Sequence, residues 1–264
     1  MISKKPTPVN EFSPELWSRL HAILDQADRD GVPKIAAFDA DNTCWDSDAG
    51  ETFFDWQIHN SGLPGLPADP WARYKELKKP DPRIGYVWLA QISAGQTLAQ
   101  VRAWATRCLA QVSPWPVYQS QKKLIAELHR RGYEVFIVTA SIKWAVEPFA
   151  ALVGVDFDHV LGIETEVVGD IVTDRPVLPM TWREGKAEGL LKRTGGVRPV
   201  LACGNTLGDT AMLALATHAQ LAVCTQDRPS GLFDEETKLW VEARERGWLT
   251  HAFRNRGEES QSAT

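Results

Sequence analysis

Apolar residues first recur at helical spacing along 16–27, where Leu16, Leu20, Ile23, Leu24 and Ala27 share one face behind Ser13 as N-cap and Pro14 at the first helical position. The period then changes. Lys34 to Phe38 is a short apolar run that reads as a strand of a buried sheet, and it stops abruptly at Asp39-Ala40-Asp41. From 45 to 115 the pattern is helical throughout. Glu51 to Asn60 ends at Ser61-Gly62, Asp69-Pro70 and Asp81-Pro82 are two cap-plus-proline starts, and Thr97 with Gln100 is a capping box. Leu98, Val101, Trp104, Ala105, Cys108, Leu109 and Val112 then hold helical spacing until Ser113-Pro114-Trp115-Pro116 breaks it.

Beyond that break, strands and helices alternate. A helix from Val117 to Arg131 stops at Gly132, and a β-rich run from Tyr133 to Val138 ends in Thr139-Ala140-Ser141. A helix from Trp144 to Val153 ends at Gly154, and a short strand is expected near His159 to Leu161. Glu164 to Val168 and Ile171 to Asp174 flank Gly169-Asp170 as a hairpin, expected to be an ornament on the sheet. Glu184 to Arg193 is a helix with Lys186 in its first turn, and Pro199 to Cys203 is a strand running into Gly204-Asn205-Thr206-Leu207-Gly208-Asp209. A helix from Thr210 to Ala216, a strand from Gln220 to Val223 and a helix from Glu235 to Arg246 follow, and a polar tail after Arg254 is expected to be disordered. The order predicts an α/β fold with a parallel sheet, built from 1–44 and 116–264, carrying an all-helical insertion over 45–115.

Composition narrows the function classes. A chain of 264 residues, 44% hydrophobic, buries one main core with a smaller insertion. A net charge of -5 provides no basic stripe for a phosphate backbone, so nucleic acid is excluded as a partner and a small molecule expected. Four separated cysteines form no metal or disulfide pattern, and no stretch approaches the roughly 18 apolar residues of a membrane span. With no apolar leader after Met1, a soluble cytoplasmic protein is expected. There is no G-x-S-x-G, no G-x-x-x-x-G-K and no H-E-x-x-H.

Three strands end in polar residues: Asp39 and Asp41, then Thr139, then Asn205 and Asp209. Parallel strands would bring these to one carboxyl edge, where charges directly after a buried strand need a cation or donors to meet them. F-D-A-D-N-T, V-T-A-S, Lys186 and G-N-T-L-G-D stand in the order of the four motifs of the haloacid dehalogenase-like hydrolases, and over roughly 33–225 the chain resembles that family, most closely its phosphoserine and phosphocholine phosphatases.

The resemblance implies a three-layer, Rossmann-like core with a helical cap of the family's first (C1) type. It implies hydrolysis of a small-molecule phosphate ester through an aspartyl-phosphate, with Asp39 as nucleophile and Asp41 as acid and then base. Thr139 and Lys186 would bind the phosphoryl group. Mg²⁺ would sit among Asp39, the Asp41 carbonyl and the last motif. Ser141 stands either as a phosphate contact or as a helix cap.

Asn205 departs from the family pattern, which has an acid there. It implies a weaker metal site that an aspartate would strengthen, a direct metal role for Asp209, or a catalytically weak relative that binds a phosphorylated ligand as a sensor. Tryptophan is abundant in the insertion and mostly expected to pack. The resemblance to the phosphocholine phosphatases, where an acid at this place in the cap contacts the cationic end of the substrate, also implies Glu51 between Trp45 and Trp56 as a candidate receptor for an amino-alcohol phosphate such as phosphocholine, phosphoethanolamine or phosphoserine. A glutamate in a first helical turn is equally favoured by the helix dipole.

Overall fold

The residues of Ile35–Phe38 are buried without exception, because this strand is flanked on both sides and covered on both faces. The structure, a computed structural model, describes residues 11–254, so the N-terminal segment to Asn10 and the tail expected to be disordered lie outside it. In chain order the elements are α1 (Pro14–Asp30), β1 (Ile35–Phe38), α2 (Ala49–Asn60), α3 (Pro70–Lys78), α4 (Pro82–Gln91), α5 (Leu98–Val112) and α6 (Gln119–Arg130). Then follow β2 (Glu134–Ile142), α7 (Lys143–Ala150), β3 (Val160–Ile163), β4 (Thr165–Val168), β5 (Ile171–Pro176), α8 (Glu184–Arg193), β6 (Leu201–Gly204), α9 (Thr210–Leu215), β7 (Ala219–Cys224), α10 (Gly231–Glu245) and β8 (Leu249–Ala252).

The main sheet has the order β3-β2-β1-β6-β7-β8, and every pairing in it is parallel. Side chains alternate across it. Ala36, Phe38, Ile137 and Leu221 face a core that includes α1, α6 and α7, while Ala37, Phe136, Val138 and Ala202 face α8, α9 and α10. This is the three-layer α/β arrangement expected. The chain leaves β1 for β2 on one side and returns through β6 on the other, so a crevice opens at the carboxyl end of β1. No helix among the described residues is long and apolar enough to cross a membrane.

The caps read from sequence hold at Ser13, Asp69, Asp81 and Thr97, whose side chains each accept a backbone N–H of the first turn. Three expectations need correction. β2 does not stop at Val138 but continues to Ile142, with its register to β3 slipping on the way, so Thr139, Ala140 and Ser141 lie within extended backbone. The sixth strand, β8, carries only the sequence Leu-Thr-His-Ala; pairing with β7 through backbone groups formed it without an apolar pattern.

The hairpin is the third. β4 and β5 form a sheet of their own, and that sheet docks on the helical block. Gly95 N donates to Val172 O at 2.9 Å, Val172 N to Gln96 O at 2.9 Å and Leu98 N to Asp170 O at 2.8 Å, so the hairpin pins the loop before α5.

A second tie joins α5 to α7. Glu147 is fully buried, and Arg102 meets it with two parallel hydrogen bonds of 2.7 Å. Arg102→Met should lower the unfolding free energy by about 3 kcal/mol, because a buried carboxylate is left without its partner. Glu147→Met added to it should restore most of the loss, as read from urea melts.

Candidate active site

Asp39 leaves β1 with its backbone N–H donated to Cys203 O of β6 at 2.9 Å, which fixes it at the strand mouth. Its carboxylate is almost enclosed and accepts from Lys186 Nζ at 2.6 Å through Oδ1 and from Thr43 Oγ1 at 3.0 Å through Oδ2. Lys186, from the first turn of α8, is buried as well and gives a second bond of 2.5 Å to Asp209 Oδ1. Burial and the nearby Asp209 carboxylate raise the Asp39 pKa to about 7, with Lys186 pulling the other way. Burial alone would lower the Lys186 pKa, but the Asp209 and Asp39 carboxylates outweigh it and hold the ammonium charged.

The turn after Asp39 is tight. Thr43 N and Cys44 N both donate to Ala40 O, at 3.2 and 2.8 Å, and Asn42 takes a positive φ of 56°, a conformation asparagine tolerates better than most residues. That turn carries Asp41 round to face the same crevice. Its Oδ1 accepts from the Trp45 indole at 2.8 Å and from Ala49 N, at the start of α2, at 2.7 Å. Its Oδ2 accepts from Ser141 Oγ at 2.6 Å. Burial raises its pKa above the ordinary aspartate value against these donors. A Cβ on Gly50 would lie 2.7 Å from Ser141 Oγ, so only glycine lets α2 approach that closely.

Ser141 thus orients Asp41, rather than capping α7. Thr139 Oγ1 accepts from Ser141 N at 3.0 Å, so its own hydrogen can be given to the cavity it lines.

In the last motif, Asn205 Oδ1 lies 3.3 Å from the same Thr43 hydroxyl that reaches Asp39. Its Nδ2 donates to Glu236 Oε1 at 3.2 Å, a fully buried residue of α10 that sequence reasoning did not single out. Burial raises the Glu236 pKa, opposed by hydrogen bonds from Gln226 and Thr225 and from Asn205. A direct metal role for Asp209 does not fit. Its Oδ1 holds Lys186, its Oδ2 accepts from Asn205 N and Thr206 N at 3.0 Å each, and it lies behind the cavity wall. Gly204 makes this fold-back possible, since a Cβ there would fall 2.5 Å from the Asp209 Cβ.

Oxygen-bearing residues line the inner end of the cavity, among them Asp39, Asp41 and Asn205. Such a set suits a hard divalent cation that keeps part of its water, and among the described residues no trio of His, Cys, Asp or Glu competes for it.

The cavity, about 240 Å³, runs from Asp39 and Lys186 out to Glu51, Tyr74, Lys78 and Tyr86 on α2, α3 and α4. Glu51 therefore stands where the sequence placed it, but its aromatic neighbours do not. Trp45 is fully buried and spends its indole N–H on Asp41. Trp56 binds Gln111 Oε1 at 2.6 Å and lines a different groove, one that shares Asp48 and Glu51 with the cavity. The helical period turned Trp56 away. The rings at the cavity are Tyr74 and Tyr86, with Lys78 Nζ over them at 4.8 and 5.0 Å from the centroids. Thr43 could have been found from its place in the first motif; Lys78, Tyr74, Tyr86 and Glu236 carry no local signal. Most other aromatics of the block pack as expected, with Phe54 against Trp71, Tyr74 and Trp88. The four cysteines are buried thiols.

Comparison with known proteins gives one family. The model of the haloacid dehalogenase-like hydrolases matches residues 36–214. The chain is 22% identical to a phosphorylcholine phosphatase of Pseudomonas aeruginosa over 253 residues, 71% of this chain and 72% of that one. Among solved structures, a Bordetella pertussis protein of unknown function superposes with a TM-score of 0.68 at 19% identity, covering 84% of this chain and all of that one. A phosphoserine phosphatase in apo form superposes with a TM-score of 0.52 at 15% identity, covering 88% and 98%. At these identities the structural likenesses speak for the fold.

Because the folded Asp39 pKa lies above that of an unfolded carboxylate, the metal-free folded state holds an extra proton, and stability falls as pH climbs toward about 7. Asp39→Asn removes this dependence. In EDTA, its Tm advantage over the wild type should be small near roughly pH 5 and reach several degrees near roughly pH 8. Thermal melts across that range check it.

Proposed function

The chain belongs to the haloacid dehalogenase-like hydrolases, and from that premise we propose that it is a Mg²⁺-dependent phosphomonoesterase acting on a small aminated phosphate ester. The observation that carries the reading is the pairing at one cavity wall. A carboxylate clamped by a buried lysine, Asp39, stands beside a second carboxyl, Asp41, whose pKa burial raises toward that of a working acid.

Asp39 would attack phosphorus as the ester P–O bond breaks. The electron pair leaves with the alkoxide oxygen, which takes its proton from Asp41. Asp41, now a carboxylate, would take a proton from water as that water attacks phosphorus and displaces Asp39. Trp45, Ala49 N and Ser141 hold Asp41 in place for both transfers. Thr139 and Lys186 would donate to the phosphoryl oxygens, and the Lys186 charge would offset the negative charge that builds there. Mg²⁺, held by the Asp39 carboxylate, the Asp41 carbonyl and the Asn205 amide oxygen, would neutralise the remainder.

The leaving group would extend toward Glu51 and Lys78. A trimethylammonium would have to share the tyrosine faces with Lys78, whereas a substrate with both an ammonium and a carboxylate would meet Glu51 with one and Lys78 with the other. Among amino-alcohol phosphates we therefore place phosphoserine-like esters ahead of phosphoethanolamine and phosphocholine. The name of the Pseudomonas relative points to the last, so all three belong in the test.

Phosphate release from this panel should require Mg²⁺ and vanish in Asp39→Asn; equal turnover by wild type and variant would end the enzymatic reading. Glu51→Gln should raise KM roughly tenfold for all three aminated esters while sparing an uncharged aryl phosphate. Lys78→Met should do so for phosphoserine alone. Equal losses on every substrate would assign both side chains to the fold instead.

A further inference from the structure

Glu236 lies outside every motif, yet it is a fully buried carboxylate aimed at the residue where this chain departs from its family. Thr225 N and Gln226 N both donate to Oε2 at 3.0 Å, and Thr225 Oγ1 donates to Oε1 at 2.7 Å. The Asn205 amide joins them on Oε1. Two backbone N–H groups and a hydroxyl already donate to Glu236, so it stands as an acceptor and the group it meets on Asn205 is the NH₂. The amide oxygen is thereby turned the other way, to the Thr43 hydroxyl that also reaches the Asp39 carboxylate.

We propose that Glu236 is the positioning residue of the cation site: it fixes the amide of Asn205 with its oxygen toward the cation and supplies, one side chain further back, the negative charge that residue 205 itself lacks. The inference rests on the Mg²⁺ reading above.

The pair explains itself by exchange. An aspartate at 205 would set two carboxylates in contact in a buried place, a repulsion that asparagine removes. The expectation that an aspartate at 205 strengthens the site therefore fails unless Glu236 is neutralised too. Conversely, a glutamine at 236 keeps its oxygen for the backbone N–H groups of Thr225 and Gln226 and turns its own NH₂ to Asn205. The amide of Asn205 then flips, and its NH₂ faces the cation. The double exchange N205D/E236Q keeps the net charge, lets the glutamine NH₂ donate to the aspartate at 205 and moves the charge onto the cation.

Mg²⁺ binding by isothermal titration calorimetry, with Tm in EDTA, tests this on the full chain in four forms. E236Q should bind Mg²⁺ about 10–100-fold more weakly than wild type. N205D/E236Q should bind at least as tightly as wild type. N205D alone should melt several degrees below the double variant. Wild-type affinity in E236Q, or an N205D that matches the double variant in affinity and Tm, would overturn the inference. If E236Q does not fold, the double variant decides: Mg²⁺ bound at wild-type affinity supports the coupling, and weakened binding refutes it. A wild type that binds no Mg²⁺ overturns the metal reading and this inference together, whereas binding by wild type that E236Q leaves unchanged overturns this inference alone.

Discussion

A lysine ammonium buried between two aspartates holds this molecule's chemistry in place. Lys186 comes from α8, Asp39 from the end of β1 and Asp209 from the turn after β6, so one cation ties together three parts of the chain that are far apart in sequence. Removing such charges from water costs several kcal/mol per ion, and the short bonds offset part of that cost. Two carboxylates against one ammonium leave a negative excess at the cavity wall. Burial, with that excess added to it, raises the Asp39 pKa, and a divalent cation would relieve the excess.

The groups around this triad divide into those that face the cavity and those that hold the first set still. Asp39, Asp41, Thr139 and Asn205 face inward. Asp209 holds Lys186 and the Asn205-Thr206 turn; Ser141, Trp45 and the start of α2 hold Asp41; Glu236 holds Asn205. The Ser141–Asp41, Lys186–Asp209 and Glu236–Asn205 contacts cross from one element to another, so the precision of the site depends on how the layers pack. The helical block completes the cavity from above. It is fastened to the rest of the chain by the β4–β5 hairpin and by the Arg102–Glu147 pair, as well as by the two chain crossings.

Much of this was legible in one dimension. Local rules alone place the helix starts at Pro14, Pro70 and Pro82, because a cap and a proline act within a single turn. The apolar runs ending in Asp39, Thr139 and Asn205 revealed a parallel sheet with its polar groups at one edge, because strands buried on both faces must be apolar until they emerge. Glu51 was legible through the family resemblance, as an acid in the first turn of the helix that follows the first motif.

What the sequence left open was every choice made by long-range contact. It could not tell that Trp45 and Trp56 turn away from the cavity while Tyr74, Lys78 and Tyr86 turn into it, because helical period fixes which residues share a face but not what that face meets. Nor could it show that β4–β5 docks on the helices or that β8 extends the sheet, since backbone hydrogen bonds are indifferent to side-chain identity. By itself the sequence determined the order of elements and the chemistry at the strand ends. Only the tertiary structure decided the partner of each buried charge, because a carboxylate such as Glu236 acquires its role from a neighbour 31 residues away that the chain's path brings within 3.2 Å.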